Sequence, residues 1–88
     1  MRENILIMKK LYVIKFNNEC YWCGSCKFSK ELRHAQIYVD LKRATDEAEW
    51  ILKHDKFIQD RLVNLLSQKT FNITYKLVEV EIKEVEEQ

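Results

Sequence analysis

The sequence predicts an α+β fold: a small antiparallel sheet of three to four strands, in the chain order β-β-β-α-β, with one long helix, bent or broken near its middle, packed on it. Two observations carry this expectation. Between Leu41 and Leu66 the apolar residues Leu41, Ala44, Ala48, Ile51, Ile58, Leu62, Leu65 and Leu66 recur at the three-then-four spacing of a helix with one buried face. Lys42, Arg43, Glu47, Lys53, Gln59, Asp60, Arg61 and Asn64 lie between them and supply the polar face. On either side, Leu11-Tyr12-Val13-Ile14-Lys15-Phe16 and the run from Asn72 to Val85 are rich in β-branched and aromatic residues, which suit a pleated, half-buried surface. No other segment has a comparable helical stripe, so the strands must find their core against this one.

In chain order, Leu11 to Phe16 is apolar at almost every position, as expected of a central strand or one covered on both faces. Asn17-Asn18-Glu19 is turn chemistry, because Asn tolerates the left-handed conformation of a tight turn. Cys20 to Cys23 then returns as a second strand, which Gly24, the only glycine, ends or bulges. Ser25 to Ala35 fits a short helical turn or a loop, with Phe28 and Leu32 as apolar anchors. Gln36 to Asp40 reads as a third short strand. Thr45 is expected to cap the helix that follows. Asp55 interrupts the apolar stripe, so the helix should bend there or restart at Lys56. In the last strand, Ile73, Tyr75 and Leu77 share one face and Val78, Val80 and Ile82 the other, a change of phase that a β-bulge would produce.

With 88 residues, one Gly and no Pro, the chain is expected to form a single domain, residues 1–88, without a linker. Met8-Lys9-Lys10 reads as a second translation start, which makes residues 1–7 an expected extension or disordered segment. A net charge of +1 argues against binding nucleic acid by phosphate neutralisation. No apolar run reaches the length of a membrane span and no secretory signal is recognisable, so a cytoplasmic protein is expected. In that compartment three close cysteines are reduced, metal-bound or redox-active rather than structural disulfides.

Those cysteines support three readings, which the residues alone leave open. Trp22-Cys23-Gly24-Ser25-Cys26-Lys27 resembles the active-site motif of the thioredoxin family, with Ser25 at that family's usual proline; the resemblance implies Cys23 and Cys26 as a catalytic dithiol. That family also faces its dithiol with a cis-proline loop, and this chain contains no proline. Cys20-Tyr21-Trp22-Cys23-Gly24 has the spacing and trailing glycine of a zinc knuckle, with Cys26 and His34 as further ligands and a homodimer able to supply a missing one. In the third reading the cysteines are small hydrophobes of a packed strand and its loop.

Tyr21, Trp22 and Trp50 are candidate partner-binding aromatics. Glu79, Glu81 and Glu84 alternate with apolar residues; such a strip is either a solvated sheet face or a surface for a basic partner. No phosphate loop, paired catalytic carboxylates or nucleophile triad is present.

The segments Leu11 to Lys15, Lys27 to Tyr38, Leu41 to Ala48 and Val78 to Val85 together resemble small proteins encoded by phages and prophages of low-GC Gram-positive bacteria. The resemblance implies an inhibitor of host defence, of the anti-CRISPR kind, acting in the host cytoplasm. These features point to a non-enzymatic module that binds a host protein and needs no cofactor. The alternative, from a different class, is a thiol-redox or zinc protein built on Cys20, Cys23 and Cys26.

Overall fold

A computed structural model of the chain describes residues 10–81. Strand β1 (Leu11–Phe16) is followed by β2 (Cys20–Gly24), β3 (Lys27–Ser29), a 3-10 turn over Leu32–His34, helices α1 (Leu41–His54) and α2 (Lys56–Leu65), and strand β4 (Tyr75–Val80). All pairings are antiparallel and the sheet order is β3-β2-β1-β4. Three strands joined by tight turns are thus followed by a fourth that returns beside the first, a Greek-key order whose long connection carries both helices. The α+β expectation holds, with β1 central.

Side chains alternate across the sheet. Ile14, Phe16, Cys20 and Trp22 point to the helices and join Ala44, Ala48, Ile51, Ile58, Leu62 and Leu66 in one core. Ala44 and Ala48 are fully buried, and their small side chains let α1 lie close to the sheet. Helix α1 covers β1 and β4, and α2 covers β3.

Several sequence expectations need correction. The one long helix is two, broken at Asp55 and restarting at Lys56, which is the second of the two expectations for that residue. Asp55 ends α1 in extended backbone (φ −131°) and caps α2, its carboxylate accepting from the Ile58 amide at 3.1 Å. Gln59 then donates to the Ile51 and Leu52 carbonyls, 2.9 Å each, satisfying acceptors that the end of α1 leaves open. Asp40, rather than Thr45, caps α1 by accepting from the Lys42 amide at 3.0 Å; Thr45 sits one turn further along and donates to the Leu41 carbonyl.

The third strand is Lys27–Ser29, not Gln36 to Asp40. The latter makes only a single bridge, Tyr12 with Tyr38, while the Gln36 amide donates to the Trp22 carbonyl. Since β2 pairs with β1 only through Cys20 and Tyr21, the segment crosses from β2 to β1, Gln36 meeting Trp22 and Tyr38 meeting Tyr12. Leu32 is exposed, so Phe28 is the only apolar anchor of the pair.

The last strand is Tyr75–Val80 and its register with β1 is unbroken, so its two-faced apolar pattern is no bulge. Leu77 opposes Ile14 on the helix face, and Val78 opposes Val13 on the outer one. Ile82 and Val85 lie outside the described residues.

The turns are set by backbone chemistry. Asn17 (φ 50°) and Asn18 (φ 58°) form the left-handed pair that a tight hairpin requires. Asn17 also binds the approach to β4, accepting from the Thr74 amide at 2.8 Å. The second hairpin turns through Gly24, Ser25 and Cys26, all at positive φ, and a side chain on Gly24 would collide with Gln36. Glu19, beside the first turn, accepts from the amide and hydroxyl of Ser67 and pairs with Lys30 at 3.0 Å. One carboxylate thereby ties the first hairpin to the end of α2 and the end of β3. At that helix end the Lys69 ammonium donates to the Asn64 and Leu66 carbonyls.

Two outcomes follow. Asp55→Ala removes the α2 cap and is expected to cost about 1 kcal/mol in urea unfolding, with an unchanged slope. The hydrogen bonds from Ser67 and the contact with Lys30 lower the Glu19 carboxyl from 4.5 to about 2. Because the folded value is the depressed one, its stabilisation is complete above pH 4.5 and is withdrawn as the pH falls from there towards 2. Glu19→Gln should flatten the acid limb of the stability profile in that window.

Candidate functional site

The folded chain gives the three cysteines different environments. Cys20 points into the core and is fully buried, where burial first and the Glu19 charge second push its thiol up. Cys23 is the bulged residue of β2; its thiol donates to the Tyr21 carbonyl at 3.6 Å, and burial pushes it up as well. Cys26 occupies the left-handed turn (φ 61°), packs against the edge of the core, and offers its carbonyl to Arg61 at 3.2 Å. A dithiol catalyst needs its first thiol lowered, usually at a helix N-terminus. Here Trp22-Cys23 lies in a strand, Cys26 in a hairpin turn, and a third strand follows.

His34 is separately engaged, its Nδ1 sharing a 3.0 Å hydrogen bond with the Ser29 hydroxyl. Among the described residues no three His, Cys, Asp or Glu side chains converge on a point where a metal could sit. A structural zinc site joins four ligands, and Cys20, Cys23, Cys26 and His34 are not grouped in that way among the described residues.

The partner-binding candidates also divide. Trp22, at 3% exposure, belongs to the core and stacks edge-on against Phe28. It is therefore no contact residue, because its β2 position faces the helices rather than solvent. Tyr21 points to the outer face, with the Lys15 ammonium 5.1 Å from its ring centre. Trp50 is 49% exposed and lies against the His54 ring, 6.0 Å between centres. Glu79 and Glu81 are exposed at the end of β4, an edge strand; Glu84 lies outside the described residues.

Helical spacing did not single out Phe57, which is 62% exposed with the Arg61 guanidinium 5.0 Å from its ring centre. The signal was present: Phe57 immediately precedes the stripe residue Ile58 and so falls off the buried face. Phe57, Arg61 and Leu65 follow one another at four-residue spacing along α2. Arg61 and Leu65 line a shallow groove with Cys26 and Phe28. Phe71, in the loop before β4, is 67% exposed. No helix is long and apolar enough among the described residues to cross a membrane.

Serine substitutions read these placements directly. Cys20→Ser buries a hydroxyl in an apolar core and should cost about 1–3 kcal/mol in urea unfolding. Cys23→Ser and Cys26→Ser should each stay within about 0.5 kcal/mol of wild type.

No protein-family model matches this chain, no curated protein matches it, and no solved structure matches its fold.

Proposed function

We propose that the chain is a non-enzymatic protein-interaction module that engages its partner through aromatic side chains of the helical layer. One observation carries this reading: Trp50 and Phe57 are about half and two-thirds exposed, yet each is held against a neighbour, His54 and Arg61 respectively. Exposed large aromatics expose apolar area to water without benefit to the free fold. Held in place beforehand, they lose little side-chain freedom on docking, and Trp, Tyr and Arg dominate the energetics of interfaces. A phage-encoded inhibitor of a host defence protein is the finer form of the proposal, and the segment resemblance described above supports it. In that setting Tyr21, Glu79 and Glu81 border the contact rather than anchor it.

Affinity capture from a bacterial host lysate, followed by binding measurements on the captured protein, tests the assignment. Trp50→Ala and Phe57→Ala should melt within a few degrees of wild type, since both side chains are exposed. The partner should bind Trp50→Ala about 30-fold more weakly, the effect of a hot-spot truncation near 2 kcal/mol. Equal affinity of the double variant contradicts the assignment.

A further inference from the structure

The groove beside α2 combines apolar walls with positive charge and no acid. It is lined by Cys26, Lys27 and Phe28 of the second hairpin and by Arg61, Asn64 and Leu65 of α2. Cys26 and Phe28 pack against the core, and Leu65 is 39% exposed on the facing wall. Arg61 joins the two walls. Its guanidinium lies 5.0 Å from the Phe57 ring centre and donates through Nη1 to the Cys26 carbonyl at 3.2 Å. A helix residue and a turn residue thus hold it between them. A guanidinium carries five N–H donors, and only one of these is spent on Cys26. The ion pairs of the described residues are Lys30–Glu19, Arg33–Glu31, Lys42–Asp46 and Lys53–Glu49, and Arg61 is in none of them. Asp60, its neighbour in sequence, falls about 100° round the helix and does not line the groove.

A positioned guanidinium with open donors suits a carboxylate, which accepts two parallel N–H bonds. The apolar walls suit an apolar side chain next to that carboxylate. Arg61 and Leu65 are four residues apart, about 6 Å along the helix axis. Alternate residues of an extended chain share a face at about 7 Å, so an acidic residue and an apolar one two positions later reach both points. A chain terminus fits less of the groove, because terminal carboxylates are captured by clustered backbone amides and the turn here presents the Cys26 carbonyl.

We infer that this groove docks an extended acidic segment of a partner protein, its Asp or Glu carboxylate on Arg61 and its apolar side chain against Phe28 and Leu65. The inference rests on the proposed interaction surface and names the chemistry of what meets its α2 side. Lys27 adds charge of the same sign to the groove, which steers an acidic segment towards it. Phe57 shields one side of the guanidinium, and a bound segment shields more, so the ion pair forms with less water around it than an ordinary surface pair.

The test is a titration of isotope-labelled protein with the peptide acetyl-Glu-Ala-Leu-amide, followed in amide and arginine Nε–H correlation spectra. Saturable shifts are expected at the amides of Cys26, Phe28, Asn64 and Leu65 and at Arg61 Nε–H. The control peptides acetyl-Gln-Ala-Leu-amide and acetyl-Glu-Ala-Ala-amide should each bind about tenfold more weakly. Arg61→Gln keeps a donor for the Cys26 carbonyl and should keep a dispersed spectrum. It should lose about tenfold for the Glu peptide and bind the Gln peptide as wild type does, which isolates the carboxylate–guanidinium pair. Trp50→Ala, outside the groove, should bind the Glu peptide unchanged. Peptide binding of this pattern supports the groove even if Trp50→Ala and Phe57→Ala keep full affinity for a captured partner, the result that contradicts the aromatic surface. Shifts that do not saturate, that the Gln peptide reproduces, or that persist unchanged in Arg61→Gln overturn the groove and leave the aromatic surface standing.

Discussion

A straight helix from Leu41 to Leu66 would be about 39 Å long, roughly twice the span of a six-residue strand, about 20 Å. The apolar stripe cannot reach a sheet this small in one piece, so it has to break, and Asp55 is where it breaks. The two resulting helices, 14 and 10 residues, are about 21 Å and about 15 Å long. Each now matches the sheet. Helix α1 covers β1 and β4 and α2 covers β3, so both halves of the stripe contribute to one core. The break leaves few loose ends, because the Asp55 carboxylate serves an amide of α2 and Gln59 serves carbonyls of α1.

The remaining polar contacts hold that arrangement in register. Tyr75 on β4 donates to Glu49 on α1 at 2.7 Å, linking the edge strand to the helical layer. This bond and the neighbouring Lys53 hold the Glu49 carboxyl below the usual range, and the same bond raises the Tyr75 phenol. Glu19 does the corresponding work at the other end of the helical layer, joining the first hairpin to Ser67 and Lys30. Small domains have little core to spare, and here single side chains placed at junctions between elements do much of the fastening.

Much of the fold was legible from periodicity. The stripe identified the buried residues Ala44, Ala48, Ile51, Ile58, Leu62 and Leu66, while its two other members, Leu41 and Leu65, are exposed; Asp55 marked the interruption because a carboxylate cannot sit unpaired in a core. What escaped was set by tertiary geometry. Nothing in Lys27-Phe28-Ser29 marks a strand; it becomes one because the turn at Ser25-Cys26 folds it back onto β2. Gln36 to Tyr38 has strand composition but touches β2 at Trp22 and β1 at Tyr12 without pairing along either. The cysteine motif is open to three chemistries by its spacing; the fold adds that Cys20 lies in the core, Cys23 on a bulge and Cys26 in a turn, placements that no spacing rule contains. Trp22 and Trp50 are the same residue type with opposite fates, one beneath the helices and one outside them, which composition does not distinguish. Phe57 was readable as an off-stripe aromatic. The groove beside Arg61 was not, since it depends on the turn at Cys26 meeting a helix distant in the chain.

The surface follows from the same economy. A core this narrow buries one face of each helix and leaves Trp50 and Phe57 outside, where Arg61 and His54 steady them. Everything rests on the two-helix layer, and carbon secondary chemical shifts from Lys53 to Gln59, with amide exchange at Ile58, test it most directly. Helical shifts interrupted at Asp55 alone, with a protected Ile58 amide, are the predicted result. An unbroken helical run through Asp55, with no protection at Ile58 beyond that of its neighbours, would contradict the account.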